Sequence, residues 1–176
     1  AAAKMPQSGY FFDAIIRQPP IDEEKLDPAD NLEEFGLVSS GDLDFWATAT
    51  RNARATGKAV IASLGGTALG DIALVPGLQL KHPKGIRDVA EWYMSTVVRP
   101  DYIQAVFDRQ VDIAIENFRR LYEVIGDNID AVFICGTDFG TQESTFCSPE
   151  QFDELWLPYY RRINDWIHSH THWKTF

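Results

Sequence analysis

Cysteine is scarce: Cys135 and Cys147 are the only two in 176 residues, and they form neither a disulfide-dense framework nor a Cys-x-x-Cys pair. That excludes a small disulfide-stapled scaffold and fits a reducing, cytoplasmic setting. Long apolar runs are missing too. No stretch approaches the roughly 18 residues needed to span a bilayer, and Ala1–Lys4 is not followed by the apolar core of a signal peptide. Basic residues are in the minority, 16 against 26 acidic ones, for a net charge of −10. An acidic surface repels phosphate backbones and anionic lipid, so neither nucleic acid nor a membrane surface is expected as a partner.

What the chain does contain is apolar material for one packed core. It is too short for eight β/α units, which take about 250 residues. Gly9, Pro19, Pro20, Pro28 and Gly36 interrupt residues 1–40, which read as a loop-rich N-terminal extension. Within it Tyr10, Phe11 and Phe12 are expected to plug a core edge, and the acidic stretch Asp22–Glu34 to be solvated. From Asp42 the pattern turns regular. Asp42 is the expected cap of a helix through Arg54, with Leu43, Trp46, Thr50 and Ala53 on one face and Gly57 as its stop.

Ala59–Leu64 reads as a continuous apolar run, as strands buried on both faces do, and Gly65-Gly66-Thr67 as the turn that follows. A helix is expected over Ile86–Val98, and a second from Pro100 to Ile125, where Ile103, Val106, Phe107, Ala114, Phe118, Leu121, Tyr122 and Ile125 recur at helical spacing. Asp130–Cys135 is the next buried strand. Ser148, Pro149 and Gln151 together signal a helix start, and Pro158 should bend that helix. Lys174-Thr175-Phe176 opens another strand.

Helix and strand therefore alternate, with short helix-to-strand links, which implies parallel strands joined by right-handed crossovers. The fold class is α/β: a partial (β/α)8 barrel, truncated before it closes, over residues 41–176. A doubly wound open sheet would give the same local signal.

In either architecture ligands bind at the carboxyl ends of the strands. The polar, glycine-rich loop Gly136–Gln142 falls at such an end. Asp138 is the candidate catalytic residue, as a general base, the partner of a cationic group or the holder of a metal-bound ligand. Thr137, Phe139, Thr141 and Gln142 are the candidate substrate-binding residues. The competing reading is that Asp138 satisfies loop amides, as Asp often does in turns. Glu143 is a second carboxylate that could pair with it.

The run His168-Ser169-His170-Thr171-His172 has residues at a zinc-binding spacing. It also falls where a helix ends, where His suits the macrodipole, and that reading is preferred. No residue of this chain is assigned to a metal. Cys135 reads as a buried small residue and Cys147 as an ordinary loop thiol, although a helix start can favour a thiolate.

Asp138-Phe139-Gly140-Thr141-Gln142, Ser148-Pro149-Glu150-Gln151-Phe152, Pro158-Tyr159-Tyr160-Arg161-Arg162, Ile167-His168-Ser169-His170 and Trp173-Lys174 together resemble the uroporphyrinogen decarboxylase superfamily. The nearest flavour is its corrinoid-dependent, zinc-containing methyltransferase-like branch. Roughly the last forty residues carry the likeness. It implies a (β/α)8 barrel with a deep pocket and methyl transfer from a corrinoid carrier to a zinc-activated thiol. A His-x-Cys pair on the strand after Phe176 would hold the zinc.

Two departures bear on this. Many relatives carry two acidic residues in the strand-end loop, and here the first position is Thr137. The arginine-rich N-terminal signature of true uroporphyrinogen decarboxylases is not matched; the segment from Tyr10 to Arg17 offers one arginine. Decarboxylation of tetrapyrrole acetate groups, a lyase step of porphyrin biosynthesis, is thus the alternative. A non-catalytic, barrel-derived binding module is the third reading. The expected partners are a small-molecule substrate or a corrinoid protein, with self-association through exposed sheet edges.

Overall fold

Three short parallel strands, paired in the order they occur along the chain, give the protein its α/β character. The structure is a computed structural model that describes residues 3–4, 7, 13–14, 18–71, 80 and 82–176. Its elements are β1 (Ala3–Lys4), β2 (Asp13–Ala14), α1 (Ser40–Arg54), β3 (Ile61–Ala62), α2 (Val89–Val98), α3 (Pro100–Ile125), β4 (Ala131–Val132), α4 (Pro149–Leu155), α5 (Leu157–His170) and β5 (Lys174–Thr175). Short 3-10 turns occupy Glu23–Lys25, Pro28–Leu32 and Gly126–Asn128. Gly9, Tyr10, Phe11, Phe12 and Arg17 lie outside the described residues. No helix among the described residues is long and apolar enough to cross a membrane.

The contacts group the chain into two units: Ala1–Glu34 with Gly70–Val106 and Thr137–Cys147, and Phe35–Leu69 with Phe107–Gly136 and Ser148–Phe176. The second unit holds the parallel sheet. Ile61 pairs with Ala131 and Ala131 with Lys174, while Ala62, Val132 and Thr175 form the next row. Successive side chains of a strand point to opposite faces. Ala62, Val132 and Ile134 are accordingly buried, whereas Ile61 and Phe176 are 61% and 60% exposed.

The expectation that Ala59–Leu64 is buried on both faces is therefore corrected. Its residues alternate, with Ala59, Ile61 and Ser63 exposed, because among the described residues one face of the sheet is covered and the other is open. Arg54 and the backbone N–H of Val60 both donate to the Asp130 carboxylate, which ties the start of β3 to the start of β4.

Helix α1 is capped by Ser39 and not by Asp42. The Ser39 hydroxyl accepts from the Asp42 N–H, and the Asp42 carboxylate accepts from the Ser39 N–H. This reciprocal box satisfies two helix-end donors at once and outcompetes a cap starting three residues later. The face foreseen for α1 does turn inward, with Thr50 buried and Leu43, Trp46 and Ala53 half-buried.

Helix α3 has the bounds its periodicity predicts. Ile103, Val106, Phe107, Ala114, Phe118, Leu121 and Ile125 are each no more than 2% exposed. Gly126 follows in the left-handed region, at φ +52°, a conformation that favours glycine at a helix end. In the second unit Phe107 meets Trp156, Phe118 meets Trp166, and Tyr122 meets Trp173.

The foreseen bend at Pro158 is a break into α4 and α5. Pro158 has no N–H to continue the ladder, and Trp156 sits between the two helices while its indole N–H donates to the Leu69 carbonyl. Ser148 caps α4, accepting from the Gln151 N–H, with Pro149 in the first turn.

In the first unit α2 begins at Val89 behind an Asp88 cap, which corrects the expected start at Ile86. Ile86 is buried ahead of the helix, and the Asn31 side-chain amide binds both its N–H and its C=O. The acidic stretch is also not wholly solvated. Glu34 is enclosed with Arg87, at 8% and 2% side-chain exposure. Arg87 also donates to the carbonyls of Lys84 and Asp30, so its charge is neutralised and most of its donors are engaged.

Candidate functional site

The loop after β4 folds back on itself as a small hairpin. The Phe146 N–H donates to the Phe139 carbonyl at 2.8 Å, and the Thr141 N–H to the Ser144 carbonyl at 2.7 Å. Gly140 bridges Thr145, and a Cβ on Gly140 would lie 2.9 Å from the Ser144 carbonyl oxygen, closer than a side chain tolerates. Thr141 closes the tip: its hydroxyl oxygen accepts from the N–H groups of Glu143 and Ser144. This is the short-range side-chain turn that Thr, like Ser, readily forms.

The predicted site residues divide accordingly. Asp138 presents an exposed carboxylate that takes no hydrogen bond or ion pair from the described residues. Gln142 and Glu143 are exposed at the tip, and Thr137 and Phe139 are half-buried. The Thr141 hydroxyl is engaged by the loop's own amides, and the Phe139 carbonyl by its opposite arm.

Tyr93 of α2 was not foreseen. Its hydroxyl donates to the Asp138 carbonyl at 2.8 Å, and its ring stacks on Phe146 with centroids 4.5 Å apart. Burial pushes the Tyr93 phenol up to about 12, and the neighbouring Cys147, Asp138 and Asp71 act in the same direction. The hydroxyl is therefore a neutral donor throughout the physiological range. No local pattern announces this role: one tyrosine within a helix carries no record of a partner 45 residues away.

Burial also pushes the Cys147 thiol up, the opposite of what an activated thiolate needs. Cys135, in the other unit, has its sulfur 2.9 Å from the Tyr160 hydroxyl. There the Gly65-Gly66 turn has both residues at positive φ, +80° and +81°. Gln110 donates to the Gly66 carbonyl, and the Thr67 hydroxyl to the Ile134 carbonyl.

The histidines lie together near the end of α5. His168 contacts the Thr175 hydroxyl at 3.0 Å, and His170 stacks on Trp166. The helix stops at His170, so His172 does not share a helical face with His168. Among the described residues no group of three or more His, Cys, Asp or Glu side chains could hold a metal ion.

Chemically, the loop offers carboxylate and amide groups on a pinned backbone. That suits the binding of a hydroxyl, thiol or cationic group, or the acceptance of a proton from one, more than the binding of an anion. In comparison with known proteins, the chain matches no family model, no curated protein and no solved structure.

Proposed function

We propose that this chain is part of a cytoplasmic (β/α)8 barrel enzyme of the uroporphyrinogen decarboxylase superfamily, on its methyltransferase-like side. The reaction would be methyl transfer from a corrinoid carrier to a thiol acceptor. The observation that carries the reading is the three-stranded parallel sheet paired in chain order, with a pinned polar loop following β4. In barrels of this type strand-end loops hold the chemistry. Asp138 is the residue proposed to accept a proton from the acceptor or to orient it.

The same loop favours methyl transfer over decarboxylation of a tetrapyrrole. Asp138 and Glu143 are both exposed, and such carboxylates repel a substrate bearing many carboxylates of its own. On this reading zinc is held by the His-x-Cys pair that the resemblance implies and by no residue named here, and when bound it would favour the thiolate form of the acceptor.

The protein, incubated with methylcobalamin and a panel of small thiols, is expected to yield an S-methyl thioether detectable by mass spectrometry. Asp138→Asn should slow that reaction by about 10²-fold, the lower end for loss of a general base. Absence of thioether with every thiol would overturn the reading. Porphyrin binding would then separate the decarboxylase from a non-catalytic barrel.

A further inference from the structure

We propose that Tyr93 is a positioning residue, a latch on α2 that holds both arms of the Thr137–Cys147 hairpin and so fixes where Asp138 stands. This rests on the reading of Asp138 as the working carboxylate of that loop. The geometry is a two-point grip. The Tyr93 hydroxyl bonds the backbone of Asp138 on the outgoing arm at 2.8 Å, and its ring stacks on Phe146 of the returning arm, 4.5 Å between centroids and 27° between planes.

The arms are themselves cross-tied by Phe139–Phe146 and Thr141–Ser144 backbone hydrogen bonds. One side chain therefore restrains the whole hairpin rather than a single residue. The latch is itself held from behind: Asp88 caps α2 and the adjacent Trp92 is 2% exposed. Because burial raises the phenol's pKa, the donor is retained throughout the physiological pH range. Most of the loop is exposed, and this grip and the cross-ties restrain it against local opening.

Tyr93→Phe removes the hydroxyl and keeps the ring, whereas Phe146→Leu keeps the hydroxyl and removes the stack. Hydrogen exchange followed by mass spectrometry is expected to show the backbone amides of residues 137–147 exchanging about 5–10-fold faster in each variant, the worth of one net hydrogen bond in Tyr93→Phe and of one aromatic pair in Phe146→Leu. Exchange in α1 and α3 should not change. In the thioether assay Tyr93→Phe should lower kcat by a similar factor with KM within about twofold, since it displaces Asp138 without removing it.

Unchanged loop exchange in both variants would overturn the latch, whatever the activity. Faster loop exchange with kcat unchanged would overturn the positioning role. If wild-type protein makes no thioether, the proposed reaction fails, and the exchange data alone decide the latch.

Discussion

Arg87 and Glu34 form an ion pair in which both side chains are shut away from solvent, at 2% and 8% exposure. A buried pair of this kind is weak evidence for net stability, but breaking it leaves an uncompensated charge inside the protein. Arg87→Leu is therefore expected to destabilise by about 3–5 kcal/mol. A urea titration should show a lower midpoint with an unchanged slope. Replacing both partners by apolar residues should recover much of the loss, and a double variant as unstable as Arg87→Leu would contradict this account.

Gly85 is the second test of the same region. It sits at φ +76°, and a Cβ there would overlap the Asn31 Oδ1 that accepts from Ile86 N–H and from the Tyr102 hydroxyl. Gly85→Ala should cost roughly 2–4 kcal/mol, combining strain with a disturbed buried hydrogen bond. Gly57, also at positive φ but with open space around it, supplies the control. Gly57→Ala should lower the melting temperature less than Gly85→Ala.

Acid should loosen the joint between β3 and β4. The Val60 N–H holds the Asp130 carboxyl below its usual range, with Arg54 adding to the effect. A carboxylate with a depressed folded pKa contributes stability above its unfolded value, about 3.9, and that contribution is lost as pH falls through the folded value. Glu116, held down to about 2 by Arg119 and Arg120, behaves the same way. Thermal melts at low salt between pH 5 and 2 should show a shallower loss of stability for Asp130→Asn than for wild type, from a lower starting point. Parallel curves would argue against the linkage.

Expressed on its own, this 176-residue chain should self-associate through its open sheet face. Ile61 and Phe176 lie more than half exposed on strand β3 and at the end of β5, which among the described residues are the two edges of the sheet. Unpaired edges and apolar surface favour pairing between copies. Sedimentation velocity should show an average mass that rises with concentration. Ile61→Lys with Phe176→Lys should return it towards the mass of one chain, and a wild type that stays monomeric at every concentration would refute the expectation.

Much of the local architecture could be read directly. The bounds of α3 follow from apolar residues at helical spacing and a glycine behind it, and the start of α4 from Ser148, Pro149 and Gln151. Each of the three parallel strands is legible as an apolar run or strand opening, and their alternation with helices implies that they run parallel. What failed were competitions between neighbouring signals. Ser39 took the cap assigned to Asp42, and Ile86 was claimed by Asn31 before α2 could include it.

The candidate site divides along the same line. The sequence by itself determined that a polar loop follows a strand and that Asp138 lies in it, because composition and turn residues are local properties. Only the tertiary structure decided that the Thr141 hydroxyl is spent on the loop's own amides, that Glu34 is buried with Arg87, and that Tyr93 grips both arms of the hairpin. It also decided which face of the sheet stays open. The physical reason is range: caps, periodicity and turns act within a few residues, whereas burial and hydrogen-bond partnership depend on segments that meet only once the chain has folded.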